Sequence, residues 1–361
     1  MTKQVIVCFF GYDERDESGR TWAIRTGLAE NDVTVKPCRT LVDGFFAKYH
    51  DLYQKWKGIT GNIDALYVIF MGYYLMPLAW CLARRRGIPV ILDTLISQYD
   101  TEVTDRKRIS RFSPHAWFLW GVDWVSCAVA DAIVVDTHEH KKFFTEKFFV
   151  NAKKILVVPV GCRSDLFIPL PHLRESEGYF IVEFHGSFIP LHGIEYIMEA
   201  AKILQEKHEK VHFKIVGMGQ LFVAITSMAQ KLRLFNVEFL GREPLKELPY
   251  SIARGDVSLG IFGATPKALR VIPNKVYESL SCGKPVITER SPAALEVLHD
   301  YEGVCMVEPG NGVALAEKIL ELKCDVVLRT QLSERARAIS LNQFSPRAIA
   351  KPLVDWLKSH A

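Results

Sequence analysis

Short apolar runs alternate with amphipathic stretches twice along this chain, and that alternation constrains its fold more than any other feature. Runs at 5–10, 33–36, 65–70, 90–92, 132–135 and 155–158 have the length and composition of buried strands. A second series follows at 179–184, 212–216, 237–240, 257–260 and 285–288. Helical periodicity lies between them, at 21–30, 76–86 and 116–129 in the first series and at 194–205, 220–232, 275–281 and 312–322 in the second. In 194–205, Ile194, Ile197, Ala201 and Leu204 form one apolar stripe, while Glu195, Glu199, Lys202 and Gln205 take the other face. Strands that are apolar throughout, each followed by such a helix, predict an α/β fold of parallel sheets covered on both faces. The spacing predicts two doubly wound, Rossmann-like domains, 1–167 and 168–345. The stretch 346–361, with Trp356, reads as a helix that packs back on the first. Pro169, Pro171 and the charged run 174–177 mark the linker.

A length of 361 residues fits two domains, and 49% hydrophobic with 24% charged residues excludes a disordered or collagen-like chain. A net charge of +4 does not argue for a nucleic-acid partner. The eight cysteines stand apart with no Cys-x-x-Cys pair, which predicts reduced thiols and a cytoplasmic protein. The apolar run 5–10 reads as a first strand rather than a secretion signal. Residues 65–83 carry no charge and precede Arg84, Arg85 and Arg86, the length of a short membrane span. Gly72 and Pro77 interrupt that stretch, and it reads instead as a buried strand, a turn and a helix.

Three loops hold the residues suited to chemistry. The loop 11–20 follows the first strand and carries four acids, which disfavour a phosphate; Ser18 and Gly19 read either as part of a solvated turn or as an acceptor-facing loop. The loop 185–193 links a strand to a helix, and Gly186, Ser187, His192 and Gly193 suit a diphosphate at the helix start. The stretch 260–288 is the most informative. Lys267 and Arg270 precede Pro273, a residue tolerated where a helix begins. Asn274, Lys275 and Val276 fall in the first helical turn, and Glu278 lies one turn in. Two cations beside a helix start describe an anion site, and an acid a turn further suits a pair of hydroxyls. The same cations also fit a solvated face.

These pieces together resemble the retaining nucleotide-sugar glycosyltransferases of the GT-B fold, family four. The resemblance rests on Ile-Pro-Asn-Lys-Val-Tyr-Glu-Ser-Leu-Ser-Cys-Gly-Lys-Pro-Val-Ile-Thr (272–288), Gly-Ser-Phe-Ile-Pro-Leu-His-Gly-Ile-Glu-Tyr-Ile (186–197), Lys-Ile-Val-Gly-Met-Gly (214–219) and Val-Pro-Val-Gly-Cys-Arg-Ser-Asp-Leu-Phe (158–167). It implies that the second domain binds a nucleoside-diphosphate-sugar donor and the first an acceptor across a cleft. It assigns Glu278 to the donor ribose, Asn274, Lys275 and Val276 to the phosphates, and Gly217, Gly219 and the turn at Arg242 to the base. It also implies transfer without a metal or other cofactor, in keeping with the absence of an Asp-x-Asp motif. Two departures stand out. Arg270 occupies the place of the acid that in the family contacts the transferred sugar, and Ser187 and His192 replace an Arg and a Lys. His192, Lys267, Arg270 and Lys275 are the candidates for leaving-group charge.

In the first domain Asp93 ends a strand, where it either positions the acceptor hydroxyl or caps a helix; His115 is a further catalytic candidate. Arg106, Lys107, Arg108 and Arg111 precede Trp117, Phe118, Trp120 and Trp124, a pairing of cations and tryptophans that suits an anionic membrane surface. A solvated loop before a core helix fits the same residues. The expected reaction is transfer of a sugar to a hydroxyl of a glycan or lipid-linked acceptor. A nucleotide-sugar epimerase of the same shape and a non-catalytic nucleotide or sugar binder are the alternatives.

Overall fold

The computed structural model describes residues 4–12, 18–171 and 178–360. The chain divides into two compact units, 1–161 with 345–361, and 162–344.

The first unit holds a six-stranded parallel sheet in the order β2-β1-β3-β4-β5-β6. Its strands are β1 (Ile6–Tyr12), β2 (Thr34–Thr40), β3 (Ala65–Val68), β4 (Val90–Asp93), β5 (Ala132–Val135) and β6 (Ile155–Val157). The helices α1 (Gly19–Glu30), α2 (Phe45–Gly58), α3 (Met76–Arg86), α4 (Pro114–Val129) and α5 (His138–Phe148) connect them. The uncharged stretch 65–83 becomes β3, a turn and the first part of α3, as the glycine and proline inside it require. β2 runs four residues beyond the predicted 33–36, through Pro37. It is an edge strand, so a proline without an N–H leaves no neighbour unpaired.

The second unit repeats the plan in the order β12-β11-β10-β7-β8-β9. Its strands are β7 (Phe180–His185), β8 (Val211–Val216), β9 (Val237–Gly241), β10 (Val257–Leu259), β11 (Val286–Glu289) and β12 (Val304–Val307). Its helices are α6 (Ile194–Glu206), α7 (Phe222–Lys231), α8 (Leu248–Arg254), α9 (Asn274–Ser281), α10 (Pro292–Leu295), α11 (Gly312–Cys324) and α12 (Val326–Asn342). β12 is absent from the predicted strands; it is a four-residue apolar run, short enough to be lost beside the longer helices that follow. Ile194, Ile197, Ala201 and Leu204 of α6 are buried in this unit's core, as their spacing predicts.

The division between units falls six residues before the predicted 167/168. The segment after Cys162 belongs to the second unit, where Phe167 is fully buried and its carbonyl accepts from Ser281 Oγ at 2.6 Å. The rest of the predicted linker, 172–177, lies outside the described residues. The last helix, α13 (Pro346–His360), packs on α1 in the first unit and buries Ile349, Leu353 and Leu357.

Candidate functional site

In the second sheet the chain runs outward from β7 to β9 and then returns to β10 on the other side of β7. Loops leaving β7 and β10 therefore diverge at the carboxyl edge, the place where open parallel sheets bind ligands. The loop after β7 starts at Gly186, with φ +148°. A Cβ there would meet Lys275 Nζ at 2.5 Å. A Cβ on Gly217 would overlap the Gly186 carbonyl oxygen, and Gly193 packs on the backbone of Phe262 and Gly263. Glycines thus let three loops touch backbone to backbone. Hydrogen bonds fix the contact: Gly186 N–H donates to Val216 O at 2.9 Å, Phe188 N–H to Met218 O at 3.1 Å, and Phe262 N–H to His192 O at 3.2 Å.

The start of α9 closes this corner. Pro273 precedes it and no side chain caps it, so the positive end of the helix dipole is not neutralised by an acid of its own first turn. Lys275 is buried, with Nζ 3.8 Å from the centre of the Phe184 ring and 3.3 Å from His192 Nδ1. Burial pushes its pKa well down, against the pull of Glu183 and Glu278. Glu278, a turn further, takes a contact from His185 Nε2 at 3.1 Å. His185 Nδ1 lies 2.8 Å from Glu183, which also accepts from Ser258 Oγ at 2.8 Å. Burial works against charge on His185, but the two carboxylates outweigh it and lift its pKa to about 9. The imidazole is therefore a cation at neutral pH, and it holds one oxygen of Glu278 in place.

The structure brings together Gly186, Ser187, His192, Lys275 and Glu278. Gly217 and Gly219 join them through the backbones of Gly186 and Phe188. Arg242 is exposed and follows Gly241, whose carbonyl accepts from the Gly217 N–H. Asn274 is exposed at the first position of α9. Lys267 is buried, and Arg270 is half-buried on the short turn Ala268–Arg270.

Five of the candidates stand in surroundings the sequence did not foretell. The Val276 N–H donates to Pro273 O at 3.0 Å, so it is already engaged. His192 is not a source of positive charge: burial first, and Lys275 second, hold its pKa well below the ordinary value. Asp93 is 1% exposed and locked. Both its oxygens lie 2.9 Å from Arg20 Nε, and Tyr67 OH donates to it at 2.9 Å. It ties α1 to β3 and β4 and presents no free carboxylate. Ser18 caps α1, accepting from the Thr21 N–H, with Gly19 the first helical residue; 13–17, the rest of that loop, lie outside the described residues. His115 is exposed on the first turn of α4, and its ring contact is Phe118. No acid is hydrogen-bonded to it among the described residues.

Glu183, His185 and Ser258 were not singled out by the sequence reading. A signal existed: Glu183 and His185 are two apart in an otherwise apolar strand, so both side chains share one face.

The family model of glycosyl transferases group 1 matches residues 171–339. The chain is 27% identical over 250 residues to the probable glycosyltransferase WbjE of Pseudomonas aeruginosa, covering 63% of this chain and 60% of that protein. It spans about three fifths of the length of the curated relatives it matches. The structure of HepE from Anabaena in complex with UDP and glucose superposes with a TM-score of 0.71 at 16% identity, over 99% of this chain and 100% of that one. Sucrose-phosphate synthase from Thermosynechococcus elongatus gives a TM-score of 0.71 at 16% identity, over 99% of both chains. The fold is GT-B, and residues 171–339 match the family model of glycosyl transferases group 1.

Proposed function

We propose that this chain is a glycosyltransferase of the family-four type. It takes a sugar from a nucleoside-diphosphate-sugar bound by the second unit and passes it, with retention and without a metal, to a hydroxyl of a glycan or lipid-linked acceptor bound by the first. The observation that carries the reading is the corner where Lys275, the uncapped start of α9 and the His185–Glu278 pair meet at the carboxyl edge of the sheet. A diphosphate supplies the anion that the Lys275 amine, whose protonated form an anion beside it favours, and a helix start are suited to bind. Glu278, oriented by His185, has the second oxygen for ribose hydroxyls. HepE, of the same fold, is described in complex with UDP and with UDP-glucose, which supports this donor class. All eight cysteines are free, which supports a reducing, cytoplasmic setting.

A panel of nucleoside diphosphates and their sugars, read by thermal shift, tests the reading. A donor at about 100 times its Kd stabilises by roughly 2.7 kcal/mol. Glu278→Ala lowers that shift more than it lowers the Tm of the free protein. A flat panel removes the proposal. Arg270, standing where the family has an acid, favours one second reading, a nucleotide-sugar binder without turnover. Release of nucleoside diphosphate in the presence of a glycan acceptor distinguishes the transferase from it.

A further inference from the structure

The helix α4, Pro-His-Ala-Trp-Phe-Leu-Trp-Gly-Val-Asp-Trp-Val-Ser-Cys-Ala-Val, is turned the wrong way round for a surface helix. Its inward face holds Ala116, Leu119 and Cys127 but also Asp123 and Ser126. Asp123 is fully buried: it accepts from Ser97 Oγ at 2.6 Å and from the Gln98 and Tyr99 amides at 3.1 and 3.0 Å. Burial raises this carboxyl to about 6. The one acid of the helix is thus spent inside the fold. The outward face carries Trp117, Phe118, Gly121, Trp124 and Val125, the four-and-seven spacing of a single stripe. Trp117 is 69% exposed, Phe118 58% and Trp124 43%.

This stripe forms one wall of a groove of about 890 Å³ in the first unit. The rest of its lining comes from α3, the turn before it and the start of α2, and includes Trp80, Tyr74 and Phe45. No charged side chain lines it. Exposed apolar surface on this scale marks a docking site rather than ordinary surface. Cations surround it in sequence, some of them paired: Arg84 bonds Asp131 at 2.8 Å, Arg86 lies over Trp56 at 4.3 Å, and Arg108 is 3.6 Å from Glu102. The Arg84 guanidinium lies over the Trp80 ring at 5.9 Å, with Arg85 and Arg86 beside it on the last turn of α3. Arg111 lies over Phe112 at 4.6 Å, and Lys107 and Arg108 are exposed in the segment leading into α4. Aromatic rings set among arginines and lysines complement a surface that is apolar within and anionic outside. No helix among the described residues is long and apolar enough to cross a membrane, so such a surface would be met from one side.

We propose that this groove and the outward stripe of α4 dock the protein on an anionic lipid bilayer, with Trp117, Phe118 and Trp124 entering the headgroup–acyl boundary and the flanking cations meeting lipid phosphates. The proposal stands apart from the donor site, which lies in the other unit. The test is co-flotation of the full chain with phosphatidylglycerol–phosphatidylcholine vesicles against pure phosphatidylcholine vesicles, at about 50 mM salt, where surface charges are little screened. Binding to the anionic vesicles is expected. At least a tenfold loss is expected in Trp117→Ser/Trp124→Ser, and a loss that high salt reproduces in Arg108→Ala/Arg111→Ala. The donor thermal shift serves as the fold control, since both pairs lie in the first unit. No flotation with the anionic vesicles, or flotation unchanged in the tryptophan variant, overturns the proposal. So does light scattering that shows the parent chain as a dimer and the tryptophan variant as a monomer, because the stripe then meets a second copy.

Discussion

His185 and Glu289 give the same slope of stability with pH for different reasons. The folded pKa of His185, about 9, is above the ordinary histidine value of 6.5, through its two carboxylate partners. Its contribution is complete below about pH 6.5 and is lost as pH rises through 9. Glu289, at the carboxyl end of β11, is 1% exposed, and neither oxygen has a hydrogen-bond partner among the described residues. Burial raises its pKa to about 9. The folded state thus keeps a proton that the unfolded chain releases above the ordinary carboxylate range, and stability again falls towards alkaline pH. Substitution separates the two. His185→Gln loses most at pH 6 and little at pH 9.5. Glu289→Gln mimics the protonated acid, so it matches the parent at pH 5 and exceeds it at pH 8.5. The excess grows by up to about 1.4 kcal/mol for each pH unit above the ordinary carboxylate value, the linkage cost of keeping that proton. Melting curves at these pH values check both, and a Glu289→Gln protein less stable than the parent at pH 8.5 defeats the second. Sequence alone ranks neither residue: each closes a mostly apolar strand, and only the fold shows that one finds partners and the other does not.

Among elements, the helices show most clearly what periodicity can and cannot tell. The stripe of α6 lands in the core as its spacing requires, because that face has a sheet to cover. The helix α4 has a comparable pattern, but its apolar residues outnumber the positions that the core can take, and Asp123 goes inside while three aromatic residues stay out. Composition does not reveal which side of such a helix meets the sheet. The start of α9 was legible, since proline at the helix boundary and the following glutamate have local meaning, whereas the engagement of the Val276 amide depends on the turn geometry at Pro273. Glycine at a helix contact is also silent until partners are known. Gly27, in α1, sits where a Cβ would overlap the Pro346 carbonyl oxygen and touch Ala350 at 2.7 Å. Gly27→Ala, which by propensity alone would favour the helix, instead separates α1 from α13 and costs about 1–3 kcal/mol, the usual cost of overpacking. Midpoints in urea read the change; a variant as stable as the parent would mean that α13 is held elsewhere.

On the scale of the whole molecule, the two-sheet plan was legible because a parallel sheet buries its strands on both faces and so writes them as apolar runs. Candidates named from the sequence come together in the second unit, where they lie on loops that follow strands, and do not in the first. There Asp93 has the position of a functional carboxylate and the partners of a structural one. An ion pair this buried is destabilising when one partner alone is removed, so loss of activity in an Asp93 variant would not by itself assign it to the reaction. The location of binding is better read without substitution. Hydrogen exchange on the intact chain, with and without a saturating nucleoside diphosphate, should slow in peptides spanning 185–193, 217–219 and 260–281. Those segments share the backbone contacts at Gly186, Gly193 and Gly217, so a ligand seated among them opposes local opening of all three together. Peptides of β1 to β6 should exchange unchanged beyond their termini. Slowing confined to the first unit would move the nucleotide to the other sheet and take the assignment of Lys275 and Glu278 with it.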